Sequence, residues 1–323
     1  MTEVATVRGP VDSTELGSTL MHEHIFVLTP EIQQNYPGEW DEETMVAEAV
    51  RRLTAVKEAG VSTIVDPTVV GLGRYLPRIQ RINEQVDLNI VVATGVYTYG
   101  DAPFYFRFRG PAVAETLPEP MVEMFVRDIE EGIAGTGVRA AFLKCAVDAP
   151  GLTTDGERIM RAVAAAHRRT GVPITVHTHP GTKRGLDVQR ILDDEGVDPR
   201  RVVLAHSGDS TDADHLSELA EAGFYLGMDR FGIELEVPFA DRVGIVVELC
   251  RRGYADRLVL SHDASCYIDW VDPGLMAALP NWHYLHIHRD VLPALRAARV
   301  TTEQIRQMLV DNPRRYFETR DAS

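Results

Sequence analysis

The sequence predicts a closed barrel of eight parallel strands, each followed by a helix, and two observations favour this fold. Short apolar or β-branched runs alternate eight times with segments of helical spacing along the 323 residues. No linker, low-complexity stretch or break in composition divides the chain. Because such barrels routinely reach this length as one domain, we expect residues 1–323 to form a single (β/α)8 TIM barrel. A doubly wound open sheet shares the alternation and is the rival fold.

The predicted elements follow one another in strict order. The strand-like runs are 19–21, 61–66, 90–95, 140–147, 172–177, 201–206, 223–229 and 257–263. The helical segments are 42–59, 74–84, 121–132, 155–170, 185–195, 212–222, 242–252 and 291–298. Glycine follows several of the helices, as in Ala59-Gly60 and Thr170-Gly171, where it suits the left-handed residue after a helix.

The composition excludes several classes of protein. Hydrophobic residues make up 45% of the chain and charged residues 25%, which is ordinary for a globular protein. A formal net charge of -15 repels phosphate groups, so we expect no nucleic-acid or anionic-membrane partner. The three cysteines, the lack of a signal-peptide pattern and the lack of an apolar run of about 20 residues predict a cytoplasmic protein without a membrane span.

Two histidines close the first strand-like run. Side chains alternate along a strand, so His22 and His24 are expected to share a face, roughly 7 Å apart. Imidazoles at this spacing can bind one divalent ion. A single His-x-His pair is weak support for a metal site, because surface and core pairs of histidines are common.

Other metal-competent residues fall at the same end of other predicted strands. Lys144 lies in the fourth run, His177 and His206 close the fifth and sixth, and Asp263 closes the eighth. In such barrels the catalytic groups lie at the carboxyl ends of the strands, and a chance distribution of histidines would not respect that rule. The pattern therefore predicts a metal site at this end of the barrel.

The number of candidate ligands indicates two ions. Four histidines and an aspartate exceed the three protein ligands that a catalytic zinc usually keeps. They suit two ions roughly 3.5–4 Å apart, an arrangement that is used for hydrolysis. Zinc, iron, cobalt and manganese all accept such nitrogen and oxygen ligands, so the sequence does not choose among them.

Lys144 needs a different explanation, because an ammonium group cannot bind a cation. Reaction with carbon dioxide would convert the amine to an anionic carbamate whose two oxygens can bridge the ions. A carbamate would also lower the net positive charge of two divalent ions that otherwise face only Asp263 and a hydroxide. The alternative is an ion pair with a carboxylate such as Asp148, and the residues alone leave both possibilities open.

The candidate ligands lie in five short motifs, which are Met21-His22-Glu23-His24, Phe142-Leu143-Lys144-Cys145, Val176-His177-Thr178-His179, Leu204-Ala205-His206-Ser207-Gly208 and Ser261-His262-Asp263. These motifs resemble the phosphotriesterase family of the amidohydrolase superfamily, and the resemblance runs nearly end to end, finishing at residues 311–317. Within the family, the stretches 94–99, 228–232 and 266–270 are most similar to the phosphotriesterase-like lactonases.

The resemblance implies a binuclear metal barrel with a specific set of ligands. Its cofactors are two divalent ions and an N6-carboxylated Lys144 that bridges them. The ligands it implies are His22, His24 and Asp263 on the buried ion and His177 and His206 on the exposed ion. Relatives are commonly homodimers, so the resemblance also implies a homodimer.

The resemblance to the lactonase branch implies the reaction. Members open the ring of N-acyl-homoserine lactones, the bacterial quorum-sensing signals, and often hydrolyse organophosphate triesters weakly. We therefore expect a quorum-quenching lactonase in which a bridging hydroxide attacks the lactone carbonyl. Asp263 is expected to take the hydroxide proton and pass it to the leaving ring oxygen. A phosphotriesterase or another carboxylic-ester hydrolase is the alternative, because both chemistries need a hydroxide and a polarised oxygen.

Four residues near the strand ends are candidates for contact with a lactone substrate. Tyr97 can hydrogen-bond the lactone near the metals, and Arg230 can position the substrate or its loop. Tyr99 and Trp270 offer apolar surface to the acyl chain and the lactone ring. The structural alternatives are a core aromatic for Tyr97 and Tyr99, one member of a surface ion pair for Arg230, and a packing or dimer contact for Trp270.

The chain departs from the family after Asp263. Ala264 and Ser265 are smaller than the side chains expected there from the family. The loop 270–282 also differs from the family pattern, and we expect it to line the acyl pocket. The resemblance therefore does not indicate which length of acyl chain the protein prefers.

Overall fold

Eight parallel strands form the central sheet of the structure, a computed structural model that describes residues 2–36, 38, 40–235 and 237–318. Each strand pairs with the next strand along the chain. The strands are β1 (Thr19–Leu20), β2 (Thr63–Asp66), β3 (Asn89–Gly95), β4 (Phe142–Ala146), β5 (Ile174–His177), β6 (Val202–Ala205), β7 (Tyr225–Met228) and β8 (Leu258–Leu260).

The sheet closes on itself between β8 and β1, which confirms the predicted (β/α)8 barrel. The amide of Met21, just past β1, donates to the Leu260 carbonyl of β8 at 3.2 Å. Beyond the strands, the Asp263 amide donates to the His22 carbonyl at 3.0 Å. The rival open sheet is wrong, because a doubly wound sheet reverses its strand order at a switch point and these strands run in sequential order.

Helices alternate with the strands around the barrel. The helices that follow the strands are Glu42–Glu58, Leu76–Asn83, Pro120–Glu130, Thr154–Thr170, Gly185–Asp194, Ala213–Glu221, Phe239–Arg252 and Leu292–Ala297, the last entered through a π-helical turn, Ile287–Val291. Further helical segments are Pro30–Asn35, Phe104–Arg107, Pro273–Ala277, Thr302–Arg306, Gln307–Asp311 and Asn312–Glu318. In the described part of the chain, none of the helices is both long and apolar enough to cross a bilayer.

Two short strand pairs lie outside the barrel. Glu3–Val4 pairs with Val11–Asp12 in antiparallel fashion near the amino terminus. Phe26–Val27 pairs in parallel with Tyr267–Ile268. The second pair joins the segment after β1 to the segment after β8, so it extends the barrel closure past the strand ends.

Side-chain alternation along the strands places Lys144 inside the barrel. Phe142 belongs to an apolar cluster in the interior, whereas Leu143 and Cys145 pack in the cluster between strands and helices. Lys144 therefore shares the inward face of Phe142, one step nearer the carboxyl end of β4. The interior cluster includes Val65, Val91, Phe142, Val203, Tyr225 and Val259, which form an apolar floor beneath the site.

Candidate metal centre

A cavity of about 170 Å³ opens at the carboxyl ends of the barrel strands. It contains all six of the predicted metal ligands, which come from five different strand ends. The residues that line it are His22, His24, Val27, Leu72, Tyr97, Lys144, His177, His206, Arg230, Ile233, Asp263, Ser265, Ile268, Trp270 and Trp282.

His22 and His24 converge on Asp263 from an irregular segment rather than from a strand. β1 ends at Leu20, because the following amides bond to neighbours on both sides, with Glu23 donating to Val65 and His24 to Ala264. The Nε2 atoms of His22 and His24 nevertheless lie 3.3 and 3.2 Å from Asp263 Oδ1. These three side chains form one group of donors close enough to hold an ion.

Glu23, between the two histidines, fixes the backbone around Asp263. Its buried carboxylate accepts hydrogen bonds from the amides of His262 and Ala264, both at 3.0 Å, and from the Ser261 hydroxyl at 2.8 Å. Asp263 lies between those amides in the left-handed region, with φ +55°. Burial raises the pKa of Glu23 to about 8, although the Ser261 and amide bonds oppose the rise. Sequence reasoning did not single out this residue.

His177 and His206 form a second pair of donors. Nδ1 of His177 lies 2.9 Å from Nε2 of His206, and burial lowers the pKa of His177 to about 4. The opposite nitrogen of each ring faces a carboxylate, Asp148 at 2.5 Å and Asp229 at 3.1 Å. Because carboxylates only accept hydrogen bonds, the two facing nitrogens both present lone pairs. A cation bound by both nitrogens removes that repulsion, so the donor set fits a metal ion.

Lys144 is 1% exposed, and its Nζ atom has no hydrogen-bond partner among the described residues. Burial lowers its pKa to about 8. Asp148, its alternative partner, bonds to His177 instead. The neighbouring strand approaches closely at Gly95, where a Cβ atom would lie 1.9 Å from the Lys144 carbonyl oxygen and φ is +146°. An unpaired buried amine is costly, so this position requires a partner that the protein side chains do not supply.

Arg230 lies between two aspartates rather than in a surface pair with a neighbouring acid. Its Nε donates to Asp263 Oδ2 and a terminal nitrogen donates to Asp209 Oδ2, both at 3.0 Å. Asp209 is held in turn by Arg242 at 2.6 Å. Burial alone would raise the pKa of Asp263, but the nearby His22 ring and the charge of Arg230 hold it well below its usual value. Asp263 is therefore an ionised carboxylate.

The predicted substrate-binding aromatics lie on one side of the site. The Tyr97 ring is 5.3 Å from that of His177 and 6.1 Å from that of Trp270. Burial raises the pKa of Tyr97, which keeps it a neutral hydroxyl donor. Trp270 is 45% exposed at the cavity mouth. Tyr99 stacks on His177 at 6.2 Å but does not line the cavity.

Apolar residues of the cavity wall that were not expected from the sequence include Leu72 and Ile233, whereas Trp270 and Trp282 belong to the loop 270–282 that was expected to line the acyl pocket. Leu72 and Ile233 come from the loops after β2 and β7, whose apolar residues carry no periodic signal. Trp282, at the end of the predicted acyl-pocket loop, donates its indole N–H to the Asp263 carbonyl at 3.1 Å. Asp229 was also missed as a site residue. Because it directly follows β7, the strand-end rule could have identified it.

Comparisons with known proteins agree with this architecture. The sequence matches the phosphotriesterase family over residues 2–317. A phosphotriesterase homology protein of Mycobacterium tuberculosis strain H37Rv is 60% identical over 320 residues, 98% of each chain. An aryldialkylphosphatase of Saccharolobus solfataricus is 37% identical over 310 residues, 95% of this chain and 96% of that protein. An N-acetyltaurine hydrolase of Tetraodon nigroviridis is 26% identical over 356 residues, 98% and 97% of the two chains.

A solved structure is also similar. The phosphotriesterase from Mycobacterium tuberculosis superposes with a TM-score of 0.96 at 60% sequence identity, covering 98% of both chains. The similarity therefore extends over the whole barrel and is not confined to the strand ends.

Glu23→Gln tests whether Glu23 stabilises the junction between the segments that follow β1 and β8. A glutamine side chain has one accepting oxygen where the glutamate has two, so one backbone amide or hydroxyl donor would lose its acceptor. We expect the metal-free protein to lose about 1–3 kcal/mol of unfolding free energy. Denaturant unfolding of stripped protein measures this loss at pH 9, above the Glu23 pKa of about 8, where the side chain is a carboxylate. The exposed control Glu84→Gln should change it by less than about 0.5 kcal/mol. Equal stabilities for the two variants would refute the role.

Proposed function

The chain belongs to the phosphotriesterase family of metal-dependent hydrolases, and from this premise we propose that it opens the ring of N-acyl-homoserine lactones. This activity would quench bacterial quorum sensing and would be accompanied by weak hydrolysis of organophosphate triesters. The observation that carries the proposal is the combination of a polar group of metal donors with apolar walls in one cavity. A lactone head and an acyl chain require both.

The ligand assignment that we propose divides the donors between two divalent ions. His22, His24 and Asp263 would hold the buried ion, and His177 and His206 the other, with Lys144 shared. When bound, the two ions supply an activated water and polarise the carbonyl oxygen of the substrate. The mixed nitrogen and oxygen ligands accept zinc, iron, cobalt or manganese.

We propose that Lys144 is carboxylated. His177 and His206 are only two donors, one short of the usual three, and a carbamate on the unpaired Lys144 amine would supply the missing oxygen ligand. A pKa of about 8 leaves part of the amine uncharged near neutral pH. The neutral nitrogen attacks the carbon of carbon dioxide, a nitrogen–carbon bond forms, and one proton is released.

Three side chains, Asp263, Arg230 and Tyr97, would take part in ring opening. Water adds to the lactone carbonyl, and the ring bond between the carbonyl carbon and its ester oxygen breaks. The Asp263 carboxylate accepts the proton of the attacking water and delivers it to the leaving ring oxygen. Arg230 lies between Asp263 and Asp209, and its guanidinium group cannot accept a proton. The proton on Asp263 would therefore return to the substrate and would not pass to Asp209. The neutral Tyr97 hydroxyl would donate a hydrogen bond to the lactone.

The apolar part of the cavity supports an amphipathic substrate. Its walls include Leu72, Ile233, Ile268 and Trp282, and the half-exposed Trp270 lies at the mouth. A volume of about 170 Å³ suits a lactone ring with the start of an acyl chain. The rest of a longer chain would leave the cavity past Trp270, with Tyr99 on the outer edge.

Phosphotriester hydrolysis as the main activity is the second candidate. The relative of 37% identity from Saccharolobus solfataricus is an aryldialkylphosphatase, and the same donors would serve a phosphoryl oxygen as well as a carbonyl oxygen. Hydrolysis of another carboxylic ester would use the same groups. The metal donors therefore do not separate these reactions, and only the apolar walls favour the lactone.

We also propose a homodimer that forms through an exposed aromatic surface. Phe104 and Phe108 are 75% and 68% exposed, and their rings stack at 6.0 Å. Tyr105 and Val113 in the same stretch are exposed as well. Apolar patches of this kind are uncommon on monomers and typical of interfaces between proteins. A second copy of the chain would cover this surface.

A cytoplasmic location is part of the proposal. Cys145, Cys250 and Cys266 are buried free thiols. Unpaired cysteines are typical of reducing compartments.

Proton release on a panel of N-acyl-homoserine lactones of increasing chain length tests the substrate. We expect fast, chelator-sensitive acidification by metal-loaded protein, with rates that depend on chain length through contact with Trp270. Asp263→Asn should lower kcat roughly 100- to 10,000-fold, because it removes the group that carries the proton. A much higher kcat/KM for paraoxon than for every lactone would contradict the lactonase assignment. Near-wild-type turnover by metal-loaded Asp263→Asn would contradict its role.

Replacing the exposed aromatics tests the dimer. Phe104→Ser with Phe108→Ser should convert a dimer to a monomer, because the interface would lose its apolar contacts. Light scattering coupled to size-exclusion chromatography measures the mass. Exposed Tyr75→Ser, outside this surface, is the control and should remain dimeric. A monomeric wild-type protein would refute the proposal.

A further inference from the structure

We propose that Asp229 is a positioning residue that couples the two metal sites through a single buried carboxylate. Its Oδ2 lies 2.8 Å from Nδ1 of His22, and its Oδ1 lies 3.1 Å from Nδ1 of His206. The inference rests on the ligand assignment proposed above, in which these two histidines bind different ions. It goes beyond that assignment because Asp229 itself binds neither ion and would control both.

The two contacts are hydrogen bonds on the outer side of the rings. His22, His206 and Asp229 lie close enough together to form a possible metal-binding group of their own. However, the other nitrogen of each ring faces the cavity, where His22 meets Asp263 and His206 meets His177. Asp229 is 1% exposed and does not line the cavity. Its carboxylate is therefore a partner of the ligands and not itself a ligand.

The surrounding backbone leaves space for this carboxylate and donates a hydrogen bond to it. Asp229 directly follows β7, and a Cβ atom at Gly227 would lie 2.5 Å from Asp229 Oδ2. Asp229 Oδ1 also accepts the backbone amide of His206 at 2.7 Å. His206 adopts the left-handed region, with φ +66°. One carboxylate thus holds both the ring and the strained backbone of this histidine.

The chemical consequence concerns the tautomers of the two rings. A carboxylate accepts but does not donate, so both Nδ1 atoms must carry their protons. Both Nε2 atoms then keep lone pairs, which are what a cation requires. The other two candidate ligands have separate partners, Thr68 for His24 and Asp148 for His177. Asp229 is thus the group that sets one tautomer in each metal site at the same time.

Asp229→Asn separates this role from simple packing. An asparagine side chain of nearly the same size has one accepting oxygen and one donating nitrogen. The ring that faces its nitrogen must offer a lone pair at Nδ1 and carry its proton at Nε2, where it cannot bind a cation. We expect the affinity for Co²⁺ to fall about 10- to 100-fold at the affected site. Calorimetric titration of metal-stripped protein with Co²⁺ measures this loss.

A matched control is available elsewhere in the barrel. Asp128 is also buried and bonds to Arg74 at 2.8 Å and Thr94 at 2.6 Å, without contact to a histidine. Asp128→Asn removes one buried carboxylate charge in the same way and should leave both Co²⁺ affinities unchanged. Wild-type Co²⁺ affinities in folded Asp229→Asn, or an equal loss in both variants, would overturn the proposal.

A measurement on the unaltered protein covers the case in which the variant does not fold. Long-range proton–nitrogen spectra of metal-free wild type, labelled at the histidine ring nitrogens, report each tautomer. Both His22 and His206 should carry the proton at Nδ1, and a proton at Nε2 of either would overturn the inference. Lactone turnover is a separate readout. Wild type that binds two Co²⁺ ions with these tautomers but opens no lactone would refute the proposed substrate and support the role of Asp229.

Discussion

The active site depends on the burial of several cation-binding groups in one small cavity over an apolar floor. Isolated polar groups are costly in such an environment, so each must have a partner. The protein supplies a hydrogen-bond partner to the outer nitrogen of each imidazole, whereas the inner nitrogen faces the cavity, beside Asp263 or another imidazole. The contacts are Asp229 with His22 and His206, Thr68 with His24, and Asp148 with His177. The inner nitrogens and the Lys144 amine are the groups that the proposed metal ions and carbamate would occupy.

The segments that carry His22 and Asp263, two of the proposed ligands, also close the barrel. β1 and β8 do not form a regular ladder, and the bonds that join them continue into the segments of His22 and Asp263. Glu23 lies between His22 and His24 and accepts hydrogen bonds from the amides on both sides of Asp263. The position of Asp263 is therefore fixed by the closure of the barrel. Its left-handed backbone is stabilised by Glu23, which belongs to the segment after β1. Stability and ligand geometry at this point share one set of hydrogen bonds.

The regular elements, and the convergence of the proposed ligands on one cavity, could be predicted from sequence because both follow local rules. The predicted helix 155–170 is observed as Thr154–Thr170, and the strand-end rule brought Lys144 and His177 into one cavity. The rule assumes regular strands, so it did not anticipate the irregular segment at His22. Glu23 could not be predicted, because its partner His262 is 239 residues away and nothing in the local pattern indicates that pairing. Asp229 had the right position at a strand end and was missed.

Diffraction from crystals of the zinc-loaded protein, recorded on both sides of the zinc absorption edge, tests the two-ion site most directly. We expect two anomalous peaks in each chain, one beside His22, His24 and Asp263 and one beside His177 and His206. Electron density for a carboxylated Lys144 should lie between them. A single peak, or two ions beside an unmodified Lys144 amine, would refute a two-ion site bridged by a carbamate.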